Sequence, residues 1–296
     1  MKIKYLVLLL PIFLISLVSA GECGITNLAS CLAQSFFELL LTIINAPIQP
    51  LLDLIYLLLT KPVSTNIFSG IWAIIVYILS MFYGLLLMYI GIKFILSGHS
   101  PQQREKAKTM LANVLLMIVL VQASYYLYEI VIELISAMTT AIFNMIPSNF
   151  FLLTIDNITN LGLELALTMP YLVCLILTII LLVIRYLIVS VGVIFFAIGV
   201  FFYFIEPLSN YGRLIINFLF VTISLTFFYS LIFLASSKLL EVGFFDNFKI
   251  VVMIGAFTLV NSATMLLALF VVIKAALKVI PPITKAVSVV GTITGA

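Results

Sequence analysis

The chain has 296 residues, of which 65% are hydrophobic and only 8% charged, with a formal net charge of +3. A soluble domain carries about a quarter of its residues charged, because its surface must face water. The solvent for most of this chain is therefore lipid, no polar stretch is long enough to build a soluble domain, and no clustered basic face of the kind nucleic-acid binding needs is present.

Residues 1–20 open with Lys2 and Lys4, run apolar from Tyr5 to Val18, and place Val18 and Ala20 at the −3 and −1 positions of a signal-peptidase site. They read as a signal peptide, with an uncleaved first transmembrane helix as the alternative. Cys23 and Cys31 follow and are candidates for a disulfide if this region faces an oxidising exterior. Cys174, within an apolar run, reads as a small core residue. Residues 21–66 are expected to form external interfacial or re-entrant helices. Asn27, Ser30, Gln34, Glu38, Thr42 and Asn45 make one polar stripe at helical spacing, with Asn27 a candidate N-cap. Pro47 and Pro50 are expected to stop that helix, and Leu51–Thr60 to start a second.

The membrane domain, 67–274, begins with Ile67–Leu96, the first unambiguous span. The loop Ser97–Lys108 carries Arg104, Lys106 and Lys108 against Glu105 alone, which marks it as cytoplasmic. Met110–Ile135 returns outward. Residues 138–163 lack Lys and Arg but contain Asp156 and the Asn157-Ile158-Thr159 sequon, which fits an external loop with Asn157 as a glycosylation candidate. Leu163–Ile205 is long enough for two spans, with Arg185 near a tight junction. A single crossing with partial re-entry is the alternative, and it moves the Lys-bearing tail 275–296 from the outside to the cytoplasm. Glu206–Arg213 is a polar turn, and Leu214–Ser236 and Ile250–Ile273 are further spans. The expected architecture is all-α: a polytopic transmembrane helical bundle of about six or seven spans, multi-pass in the cell membrane.

His99 is the only histidine. No metal-ligand cluster, phosphate-binding loop or nucleophile–base set is visible, so neither enzyme activity nor a cofactor or metal is expected. Gln122, Tyr125, Glu129, Glu133 and Ser136 share one helical face. An ionised carboxylate in lipid costs on the order of 3 kcal/mol, so this face should line an aqueous path, pack on a partner subunit, or reach the outer interface. Arg185 reads either as a helix-end anchor that snorkels or as the partner of an inward acid. Asn217 and Asn261 are candidates for interhelical hydrogen bonds.

The whole order has a further meaning. A signal-like start, external semi-polar helices, a long span, the loop Ser97–Lys108, another span, Arg185-Tyr186 and Glu206-Pro207-Leu208-Ser209-Asn210-Tyr211-Gly212-Arg213 follow one another. This arrangement resembles the polytopic membrane subunit of conjugation and type IV secretion machines, the TrbL-like family, and in particular its archaeal CedA-like relatives in DNA import. The resemblance covers about residues 25–275 and carries over Arg185, Pro207 and Gly212. It implies a channel or scaffold subunit that helps single-stranded DNA cross the membrane. A secretion or import ATPase, pilin-like proteins and other membrane subunits would be its partners in a hetero- or homo-oligomer. Pro207 and Gly212 are expected to turn the chain before Arg213 starts a helix. The alternatives are a small-solute or ion transporter using the Glu129/Glu133 face, and a non-conducting scaffold for surface-filament assembly.

Reporters fused after Lys108 and after Asn157 should give opposite signals, since one span separates them; the same signal at both sites would overturn the assigned sidedness.

Overall fold

The computed structural model describes residues 28–97, 100–153, 161–242 and 248–294. The described residues form six long helices: α1 (Leu28–Thr60), α2 (Ser69–Leu96), α3 (Pro101–Phe143), α4 (Leu161–Phe204), α5 (Ser209–Leu239) and α6 (Lys249–Thr294). Short 3-10 turns at Asn66–Phe68, Ser148–Phe151 and Glu206–Leu208 join them, and no strand occurs among the described residues. All six helices contain a stretch long and apolar enough to cross a membrane. The chain is thus an all-α bundle of multi-pass type.

Local sequence explains the helix ends and corrects four expectations. The basic segment is not a loop beyond Ser100: the Ser100 hydroxyl accepts the Gln103 N–H at 3.2 Å and Pro101 occupies the first helical turn, so Arg104, Lys106 and Lys108 ride on the start of α3. The expected stop at Pro47 and Pro50 is absent, because α1 runs through both. A proline spaced three residues from another removes hydrogen bonds from a limited sector of the helix, and packing of Ile48, Ile55 and Leu59 into the core holds the rest. The stretch expected to hold two spans is likewise one helix, Leu161–Phe204, with Pro170 inside it and no junction at Arg185. The third 3-10 turn holds Pro207 where a turn was expected, but α5 starts at Ser209, so Gly212 lies inside a helix rather than in a turn.

The end of the bundle at the basic start of α3 is called inner, after the expected sidedness, and the end at the connection between α3 and α4 outer. Three packed clusters stack between them. Ile48, Phe151, Tyr171, Phe233 and Phe257 fill the outer part. Tyr128, Val189, Val193 and Leu219 fill the middle. Met117, Val121, Ala197 and Phe201 fill the inner part.

Along α3, contacts from the first two helices fall in one order. Asn45 bonds Leu153 just beyond the outer end of α3, Thr60 meets Ser136 and Thr140, Thr65 meets Glu129, Trp72 bonds Ser124, and Lys93 meets Met110. The later part of α1 and then α2 therefore descend α3 in the same direction, with a break between them.

Glycine allows α4 and α5 to meet closely near the inner end. A Cβ on Gly212 would overlap the backbone nitrogen of Tyr203 and crowd the carbonyl of Gly199, and one on Gly192 would overlap the Tyr128 hydroxyl. Because the neighbour at Gly212 is backbone, it cannot turn aside. Gly212→Ala should therefore lower stability by about 1–3 kcal/mol, whereas Gly255→Ala, whose methyl meets open space, should be neutral or stabilising by up to about 1 kcal/mol. Melting of the detergent-purified variants checks both.

Candidate functional site

Backbone that leaves the helix inside apolar surroundings must find partners for its N–H and C=O groups. The passage from α1 to α2 is such a segment, and α3 and α4 supply the partners. The Ser136 and Thr140 hydroxyls donate to the Thr60 carbonyl at 2.5 and 3.3 Å, satisfying the end of α1. The Ser190 hydroxyl donates to the Ser64 carbonyl at 2.8 Å, and the Ser64 N–H donates to the Tyr186 hydroxyl at 3.2 Å. Thr65 donates its hydroxyl proton to Glu129 Oε1 at 2.7 Å, and the Tyr125 hydroxyl lies 3.2 Å from Thr65 Oγ1 while donating to Asn66 Oδ1 at 2.8 Å. Glu129 thus places a carboxylate at the N-terminal start of the second helical segment, the end that favours negative charge.

The polar stripe read from the sequence therefore divides. Tyr125, Glu129 and Ser136 receive the broken chain, with Glu129 half-buried. Gln122 and Glu133, on the same helix, are exposed, as are Lys61 and Asn66 of the junction itself.

The depth of this junction follows from α5. Leu214–Ser237 contains no Asp, Glu, Lys or Arg and extends about 36 Å at 1.5 Å per residue, close to the roughly 30 Å apolar thickness of a bilayer. Arg185 of α4 meets α5 near the middle of that stretch: Nε donates to the Thr222 carbonyl at 3.0 Å, and Nη2 to the Ile223 carbonyl at 2.9 Å and Thr226 Oγ1 at 3.3 Å. Tyr186 and Ser190, which hold Ser64, stand on α4 beside Arg185. The junction and the guanidinium therefore lie within a few residues of each other along α4.

Neither sequence reading of Arg185 holds. It is 6% exposed, so it does not snorkel. Among the described residues the one ion pair is Lys238–Glu241 at 2.5 Å, so Arg185 pairs with no acid there. The reason is the continuity of α4: its centre offers no helix end from which the side chain could reach a headgroup. Three oxygens of α5 solvate the charge instead, and Thr139 extends the set toward α3 by a 3.5 Å contact with Thr226.

Of the remaining candidates, Asn261 bonds α4 as expected, accepting from Thr178 at 3.0 Å and donating to the Cys174 carbonyl at 3.3 Å. Asn217 instead lies exposed in a cleft between α5 and α6. Arg104, Lys106 and Lys108 are exposed, with the Arg104 guanidinium 5.8 Å over the Phe94 ring. Cys31 falls within the first turn of α1; Cys23 and Asn157 lie outside the described residues, and with them the disulfide and glycosylation candidates. The sequence reading missed Thr60, Ser64, Tyr186 and Ser190. Their signal was faint: a Lys61-Pro62 pair after an apolar run, and small hydroxyls in a span.

No protein-family model matches the chain, and no curated protein or solved structure matches it either.

A buried charge without a counter-ion costs desolvation that three hydrogen bonds offset only in part. Arg185→Met, which keeps volume and removes the charge, should melt at or above the parent, whereas Arg185→Ala should lose about 2–5 kcal/mol through the cavity it leaves. Loss of more than about 2 kcal/mol in Arg185→Met would show that its hydrogen bonds outweigh the desolvation.

Proposed function

We propose that this protein is a membrane channel or scaffold subunit of a DNA-transfer complex of the conjugation or type IV secretion kind, with DNA import as a specific form. In this reading single-stranded DNA is the cargo, a separate secretion or import ATPase drives it, and pilin-like and other membrane subunits are partners. The observation that carries the reading is the exposed polar face at mid-length of the bundle. Lys61, Asn66, Gln122 and Glu133 stand outward there, beside a stretch of non-helical backbone. Charged side chains and irregular backbone at that depth are tolerated against protein or water, not against acyl chains. A subunit built to meet neighbours, or to border a hydrated path, has such a face. The layout of the segments, with its basic start of α3 and the Pro207 turn before α5, supports the same reading.

A second reading rests on the junction alone. Two helical segments that meet end to end at mid-span, with Glu129 between them, have the form of the discontinuous helices that bind ions or small solutes in carriers. The two readings separate in a deletion strain. Loss of DNA uptake or transfer, with ordinary solute uptake retained, is expected of the complex subunit. Normal DNA transfer would overturn that reading, and a solute-dependent current in liposomes that is abolished in Glu129→Gln would establish the carrier.

In the same assay, Arg104→Gln/Lys106→Gln/Lys108→Gln tests the inner end. With orientation verified by reporter, transfer should fall steeply if these charges meet the motor or the strand; unchanged transfer would confine them to setting topology.

A further inference from the structure

At the inner end, the hairpin of α2 and α3 encloses a cleft that topology and the DNA-transfer reading touch only through Lys106. It has a volume of about 330 Å³ and is walled by Lys93 and Ser97 of α2 and by Gln103 and Lys106 of α3, with Ala107 and Met110 as its floor. The chain makes this cleft for a local reason. Few residues separate the two helices, and Ala107, 2% exposed, is small enough to let α3 approach α2. The longer side chains above it then splay apart.

Two ammonium groups share this space without an acid. Lys93 Nζ lies 3.7 Å from Met110 Sδ and 5.1 Å over the Tyr89 ring, which are weak, neutral neighbours. Glu206 borders a second cleft on the far side of Lys93, yet no ion pair joins them. Lys106 is exposed and has no ion pair among the described residues. Like charges facing one cleft repel, and an anion placed between them relieves that repulsion.

The rim identifies the kind of anion. Leu96, 73% exposed, lines the cleft, and Ile95 beside it is 80% exposed, so the mouth is strongly aliphatic where it opens onto the side of the bundle. A soluble phosphate has no use for that surface, whereas a phospholipid meets it with the start of an acyl chain. The level matches too, since the cleft lies at the expected cytoplasmic boundary, where basic pockets between helices meet anionic headgroups. We propose that this cleft binds the phosphate headgroup of an anionic phospholipid, with Lys93 and Lys106 on the phosphate oxygens, Gln103 and Ser97 as further donors, and Leu96 against the acyl chain.

The test uses the full chain in mixed micelles with equal amounts of phosphatidylglycerol and phosphatidylcholine, and reads retained lipid by native mass spectrometry. The parent should retain phosphatidylglycerol in preference, by at least about fivefold, as expected of one lysine–headgroup contact. Lys93→Gln/Lys106→Gln should abolish the preference, Lys93→Arg/Lys106→Arg should keep it, and Lys238→Gln at the other end of α5 should leave it unchanged. Gln103→Glu, an exposed change that leaves both lysines in place, should also abolish it by setting a carboxylate against the phosphate, and it serves where the double variant fails to fold. Equal retention of the two lipids in the parent would overturn the proposal. So would a preference that survives Lys93→Gln/Lys106→Gln or Gln103→Glu. Complete displacement of phosphatidylglycerol by millimolar inorganic phosphate would overturn it as well, by making the site one for a soluble anion.

Discussion

Within lipid, a peptide group that leaves the helix has no water to turn to. Each unmet N–H or C=O costs several kcal/mol, so a non-helical segment persists only where other parts of the protein supply its hydrogen bonds. Lys61–Phe68 is held under that constraint, and much of the bundle is arranged around it. Ser136 and Thr140 close the end of α1, Ser190 and Tyr186 bind the backbone of Ser64, and Glu129 and Tyr125 anchor the side chains of Thr65 and Asn66. These groups come from two helices that must keep register with each other to serve one segment. The Tyr128 hydroxyl helps fix that register by donating to the Val189 carbonyl at 2.7 Å.

The packing on either side shows how the bundle keeps this polar level from spreading. Outward of it, aromatic side chains interlock: Phe233 contacts Phe257, Phe151 and Phe143, with ring centroids 4.9, 5.5 and 6.4 Å apart. Inward of it, glycines take over, and α4 meets α5 through Gly199 and Gly212. Large rings fill volume between helices that stand apart, and small residues let backbones touch. Arg185 stands between these two regimes, bound to carbonyl oxygens of α5 that already serve its helix.

The spans and the all-α class were legible because they depend on composition and run length, which act residue by residue. Boundaries set by tertiary contact were not. Pro47 and Pro50 are strong local stop signals, but the burial of Ile48, Ile55 and Leu59 overrides them. Arg185 looked like a helix end because a charge inside forty apolar residues is costly; its acceptors, Thr222 and Ile223, lie far along the chain and their carbonyls carry no sequence signature. The stripe Gln122–Ser136 was visible by its spacing, yet its partner segment was hidden, since Ser64 and Thr65 resemble any short linker. Gly212 shows the same limit: a glycine five residues after Pro207 in a polar stretch suggests a turn, while its role here is contact with the backbone of α4.

The shared course of α1 and α2 along α3 makes one long helix the common reference for two. Asn45 lies just beyond one end of α3, Thr60 to Thr65 lie part-way along it, and Lys93 lies near its other end, so both helices take their position from α3. The break at Lys61–Phe68 lets each helix follow that surface without one straight rod having to match it over the whole length.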